Sequence, residues 1–132
     1  MIVIDLQSSV PLEEQIRRAI RWKIATGELR DQDPLPSVRQ LAGDLCVHWN
    51  TVARAYRRLQ DEGLLIVGRG RGVFVKARIQ SQAPPDPVAR EYLAAKLREV
   101  FTDARLMGLP DADLQTLFRE ELEGWSPKEK YP

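Results

Sequence analysis

The chain holds one cysteine, Cys46, and one histidine, His48, and this scarcity excludes a good deal. A single cysteine cannot form an internal disulfide, which fits a reducing, cytoplasmic setting. A zinc centre takes three or four protein ligands, and no second Cys or His is present to supply them. A lone His also removes the commonest general base. No Ser/His/Asp set and no carboxylate pair in a Gly-framed pocket takes its place. No catalytic residue, no metal and no cofactor is therefore expected. Long apolar runs are missing too: none approaches the roughly 18 residues that suggest a membrane span. The opening MIVIDLQSS lacks the basic start and long apolar core of a secretion signal, so no membrane role is expected. Net charge is nearly absent, at +1.

What is present suits one small domain with an appendage: 132 residues, 43% apolar and 30% charged. The near-zero charge is unevenly spread. Residues 1–76 carry 12 Lys+Arg against 9 Asp+Glu (+3), whereas residues 77–132 carry 8 against 10 (−2). Within residues 39–76 the count is 7 against 3, and six of the seven are Arg. A local excess of Arg serves phosphate recognition even in a neutral protein, but it equally describes a solvated surface, so position must decide.

Residues 10–29, VPLEEQIRRAIRWKIATGEL, read as a helix. Leu12, Ile16, Ala19, Ile20 and Lys23/Ile24 recur at three- and four-residue steps, Pro11 suits the first helical position, and Gly27 ends it. The polar stretch DQDPLP reads as a loop. Ser37 then opens a short second helix, with Gln40 completing a Ser-x-x-Gln capping box and Val38, Leu41, Ala42 and Leu45 facing inward. After only Cys46 and Val47 a third helix begins, with Val52, Ala55, Tyr56 and Leu59 inward and Asn50, Thr51, Arg54, Arg57 and Arg58 outward. Two short helices joined by so brief a turn resemble a helix-turn-helix, whose second helix enters a DNA major groove. Gly63 closes this helix. LLIV and VFV then read as two strands joined by GRGRG, from which Arg69 and Arg71 project: a wing. A nucleotide-cradling loop would need a strand-to-helix setting that GRGRG lacks.

QSQAPPDP reads as a linker. Beyond it Leu93, Leu97, Val100, Ala104 and Met107 keep a four-three spacing on one helical face. After GLPDAD, the residues Leu114, Leu117, Phe118 and Leu122 mark a further helix. Two such helices cannot bury a core of their own, so their apolar faces call for a partner, and a second copy of the chain is the expected one. The division expected is a DNA-binding domain over residues 1–76, a linker over 77–87 and a helical dimerisation tail over 88–132. The fold class is mainly α with a small β-hairpin wing.

The ordered set PLEEQI, LPSVR, NTV-RAY-L, EGL and RGRGVFV spans residues 10–76 and resembles the winged helix-turn-helix of GntR-type bacterial transcription regulators. The short tail resembles the YtrA-type branch, in which such helices serve dimerisation. This resemblance implies a transcription regulator, a repressor, that binds a pseudo-palindromic operator in double-stranded DNA as a homodimer, with no effector identified. It places Ser37 as a cap, Arg39 on the phosphate backbone, and Asn50, Thr51 and Arg54 against bases or phosphates. It places Arg69 and Gly70 at the minor groove. Arg58, one turn beyond Arg54, and Arg71 join the same expected surface. The sequence departs from the family at Cys46, where Gly is usual, at His48, where a small polar cap is usual, and at Trp49 and Ala53, where Arg occurs. His48 and Trp49 thus sit where relatives choose bases. Trp49 has two readings, a core residue or an exposed aromatic pressed on DNA. Exposure is favoured because Val47 and Val52 already fill the inward positions. For the whole chain, the alternative to DNA binding is a winged-helix module that docks a protein.

Overall fold

The computed structural model describes residues 2–68, 70, 72–76 and 86–125. These fall into two units, one over residues 2–76 and one over residues 86–125.

In the first unit the elements run α1 (Leu12–Ala25), β1 (Pro34–Leu35), α2 (Val38–Leu45), α3 (Trp49–Asp61), β2 (Leu65–Gly68) and β3 (Gly72–Val75). The inward residues of α1 are Ile16, Ala19, Ile20 and Ile24, a four-three-four spacing that places all of them on one stripe. That stripe packs on Val52, Ala55, Tyr56 and Leu59 of α3, and Leu41 and Ala42 of α2 close a second side. Leu65, Val73 and Val75 from the sheet cover the rest, so α3 lies at the centre with its opposite face free. The core expected from the periodicity is the one observed.

Two local expectations need correction. Pro11 stands just outside α1 as its N-cap, with an extended ψ of 143°, rather than at the first helical position. Gln15 secures this helix start: its side-chain amide accepts from Asp5 N at 2.7 Å and donates to Asp5 O and Val10 O. The stretch DQDPLP is not purely a loop, because Pro34 and Leu35 pair with Phe74 and Val73. The sheet is therefore three-stranded and antiparallel in the order β1-β3-β2. Proline is tolerated in β1 because an edge strand needs no donor on its outer side.

The second unit consists of α4 (Pro87–Met107) and α5 (Asp111–Gly124). Asp86 caps α4 by accepting from Val88 N at 2.9 Å, and Gly108, at φ 78°, ends it in a left-handed conformation. No helix among the described residues is long and apolar enough to cross a membrane.

Candidate nucleic-acid interface

The start of α2 is fixed from two directions. Ser37 Oγ accepts from Gln40 N at 3.1 Å while Gln40 Oε1 accepts from Ser37 N at 2.9 Å, the reciprocal capping box expected from the sequence. The Tyr56 hydroxyl of α3 donates to Pro36 O at 2.7 Å, tying the residue before that cap to the neighbouring helix. Burial pushes the Tyr56 phenol well above its ordinary range, so it stays a neutral donor. Arg39, one turn inside α2, is exposed and makes no ion pair with Asp44, Glu14 or any other described residue.

The turn between α2 and α3 depends on Cys46. Its backbone is left-handed, φ 54° and ψ 44°, the conformation that glycine adopts most easily. Cys46 N donates to Gly43 O at 3.3 Å and Val47 N to Ala42 O at 3.0 Å, which satisfies the last carbonyls of α2. The same closure is made at Gly63 after α3 and at Gly108 after α4, so Cys46 occupies a glycine-type seat. Cys46 is exposed, because the left-handed turn carries its side chain away from the core. Among the described residues no three His, Cys, Asp or Glu side chains group as a metal site.

His48 is the N-cap of α3, and its Nδ1 accepts from Asn50 N at 3.1 Å. An imidazole replaces the usual small polar cap, which requires Nδ1 to be unprotonated and any proton to lie on Nε2. Its ring stacks on that of Trp49, with centroids 5.7 Å apart and planes at 29°. Trp49 is 55% exposed, as favoured, and does not enter the core.

Along α3 the outward stripe differs from the one expected. Val52, Ala55, Tyr56 and Leu59 point inward, and the positions opposite them are Asn50, Arg54 and Arg57, at steps of four and three and all exposed. Thr51 is half-buried at the edge of this stripe, its N donating to His48 O at 3.0 Å. Arg58, placed beside Arg54 by sequence, turns toward α1 instead: its guanidinium lies 3.0 Å from Glu14 and 3.7 Å from Glu13. Arg57 is thus the basic residue that the sequence reading undervalued. The signal available was its seven-residue step from Asn50, two full turns along the helix.

Arg58 belongs to an ionic network that locks α3 onto α1. Glu14 contacts Arg17 at 2.6 Å, Arg18 at 3.1 Å and Arg58 at 3.0 Å, while Glu62, at the end of α3, takes Arg17 and Arg21. The hydrogen bond from Arg17, opposed by burial and reinforced by Arg18 and Arg58, lowers the Glu14 carboxyl to about 2. The network engages four arginines in ion pairs. Arg39, Arg54 and Arg57 form no ion pair among the described residues, so their charge stays available to a ligand.

In the wing, Gly68 pairs with Gly72, and Gly70 between them has φ 73°, which suits only glycine comfortably. The expected contacts Arg69 and Arg71 lie outside the described residues.

In the second unit Leu93, Leu97, Val100, Met107, Leu117 and Phe118 are exposed, Leu114 is half-buried, and Tyr92, Phe101 and Leu122 extend the apolar surface. Ala104, expected on the shared face, is only 6% exposed and so is covered by its own chain. Its carbonyl accepts from Leu109 N at 2.9 Å in the closure of α4, which folds the chain back over it.

The pattern defining bacterial regulatory proteins of the gntR family matches residues 12–75. The HTH-type transcriptional repressor YtrA of Bacillus subtilis is 31% identical over 120 residues, 91% of either chain. YtrA from Sulfolobus acidocaldarius, solved as a GntR-family transcription factor, is 37% identical with a TM-score of 0.62, covering 76% of this chain and 97% of that one. A transcriptional antiterminator from Listeria monocytogenes EGD-e superposes with a TM-score of 0.82 at 25% identity, over 100% of this chain and 96% of that one. A winged helix-turn-helix with an unpaired arginine face, joined to a short helical tail and matched along nearly its full length by YtrA, makes this chain a member of the gntR family of bacterial regulatory proteins, in its short YtrA-type branch.

Proposed function

We propose that the protein is a regulator of transcription that binds operator DNA by sequence as a homodimer and represses by occupying it. The observation that carries this reading is the division of charge around α3. Glu14 and Glu62 hold Arg17, Arg18, Arg21 and Arg58 in ion pairs. Arg54 and Arg57 remain exposed with Asn50 on the face of α3 opposite the core, and Arg39 is exposed and unpaired on α2. Phosphate contacts by Arg39 set register, the first turn of α3 reads base edges, and the wing with Arg69 and Arg71 reaches the minor groove.

In this reading residues 1–76 bind DNA, residues 77–87 link, and residues 88–132 dimerise. The exposed apolar surface of α4 and α5 supports the last assignment, since Leu93, Leu97, Val100, Leu117 and Phe118 stay exposed among the described residues. A two-fold dimer would read two half-sites, making one specific contact from two weak ones.

Fluorescence anisotropy of the full chain with promoter DNA from its own operon, across a salt series, tests the proposal. Affinity should fall steeply with salt. Arg39→Ala should weaken binding to all duplexes alike and reduce the log–log slope by about one. Absence of salt-sensitive binding, together with retention of a protein partner in pull-down, would make α3 a protein-docking surface instead.

A further inference from the structure

The leading turn of α3 carries two kinds of surface side by side. Asn50, Arg54 and Arg57 form the polar, cationic stripe directly opposite the core. Trp49 and Ala53, four residues apart, form a second stripe on one flank, and it is apolar. Trp49 leaves 55% of its surface in water, although burial of so large a side chain would stabilise the fold. The core has no vacancy for it, because Val52 is fully buried and Val47 packs against the cluster from the turn.

Nor is the indole free to wander. Its ring stacks on His48, and His48 is itself oriented by the bond from Asn50 N to Nδ1. The left-handed Cys46 sets the direction in which this pair leaves the turn. An exposed aromatic stacked on its neighbour, beside the unpaired Arg54 and Arg57, is a contact surface suited to a ligand that is anionic in one part and apolar in another. Duplex DNA offers one such feature in the major groove, the 5-methyl group of thymine, which takes apolar contacts from protein side chains.

We infer that Trp49, with Ala53 one turn on, is the specificity-determining apolar contact of α3 and selects thymine in each operator half-site through its 5-methyl group. The inference rests on the DNA-binding reading above. His48 acts here as a positioning residue, holding the indole through the ring stack.

The test begins with selection of duplexes by the full-length protein from a random-sequence pool. The best-bound duplex is then resynthesised with uracil replacing thymine one position at a time, which removes only the methyl group. Wild-type protein should lose about four-fold in affinity at one or two positions per half-site, the value for withdrawing one methylene-sized group from contact. The Trp49→Ala protein should bind more weakly and be indifferent to uracil at those same positions, whereas Arg54→Ala should keep the sensitivity. Uniform tolerance of uracil by the wild-type protein would overturn the inference while leaving DNA binding intact, and would assign Trp49 to sugar contact or packing. Undiminished sensitivity in Trp49→Ala would overturn it equally. Uracil tolerance by the wild-type protein overturns the inference even where that variant folds poorly. Enrichment of no sequence from the pool would sink the DNA-binding reading and this inference together.

Discussion

The Tyr56 hydroxyl reaches across 20 residues of sequence to donate to the carbonyl oxygen of Pro36 at 2.7 Å. One bond thereby couples the middle of α3 to the entry of α2, directly before the Ser37 cap and two residues before Arg39's own neighbour Val38. This tether joins the apolar contacts beneath it in fixing the relative placement of α2 and α3. Tyr56→Phe keeps the ring in the core but leaves the Pro36 carbonyl without its donor. Stability should drop by about 1–2 kcal/mol, and DNA affinity should fall without a change in salt slope. Urea denaturation paired with anisotropy checks both, and an unchanged midpoint would show that water replaces the hydroxyl at no cost.

Arg57 and Arg58 are adjacent in sequence yet should behave oppositely. Arg57 is exposed on the stripe of Asn50 and Arg54, whereas Arg58 is engaged by Glu13 and Glu14. Arg57→Gln should weaken DNA binding and reduce the salt slope while leaving the thermal midpoint in place. Arg58→Gln should cost about 0.5–1 kcal/mol of stability, because the pair is half-exposed, and should change the slope little. A reversal of these two patterns would mean that Arg58 leaves α1 when DNA is bound.

Glu14 predicts a pH dependence of known sign. Its carboxyl lies near 2 in the folded protein against an ordinary 4.5, chiefly through the Arg17 hydrogen bond. A lowered carboxyl contributes stability that is fully present above 4.5 and is lost as pH falls from 4.5 toward 2. Glu14→Gln should therefore destabilise by about 2–3 kcal/mol at neutral pH. The gap between variant and wild type should narrow progressively below pH 4.5, as followed by denaturant titrations across the acid range. A gap of the same size at pH 3 as at pH 7 would show that Glu14 acts through shape and not through charge.

The turn that holds Cys46 and His48 gives a pair of substitutions with opposite signs. Cys46→Gly relieves a left-handed conformation that costs a side-chain-bearing residue about 1 kcal/mol, and it should be neutral to stabilising by up to that amount. His48→Ala removes the acceptor for Asn50 N and should cost about 1 kcal/mol, while His48→Asn should restore most of it. Thermal unfolding of the three variants is sufficient. Destabilisation by Cys46→Gly would indicate that the thiol's 3.7 Å contact with Gly43 O matters more than the backbone strain.

The helices, their inward faces and the capping box at Ser37 were legible without coordinates. Each is a local pattern: an apolar residue every three or four positions, or a Ser and a Gln three apart whose side chains reach each other's backbone. The helix-turn-helix followed from two such patterns separated by a short turn. Tertiary structure decided what depends on residues far apart in sequence. Pro34 and Leu35 became a strand because Phe74 and Val73 lie alongside. Arg58 turned away from the stripe of Asn50 and Arg54 because Glu14, 44 residues away, pairs with it. Ala104 was withdrawn from the open apolar face by the turn that follows its own helix. Periodicity tells which side of a helix is apolar, but only the packed fold brings up the charges that determine which arginines remain free.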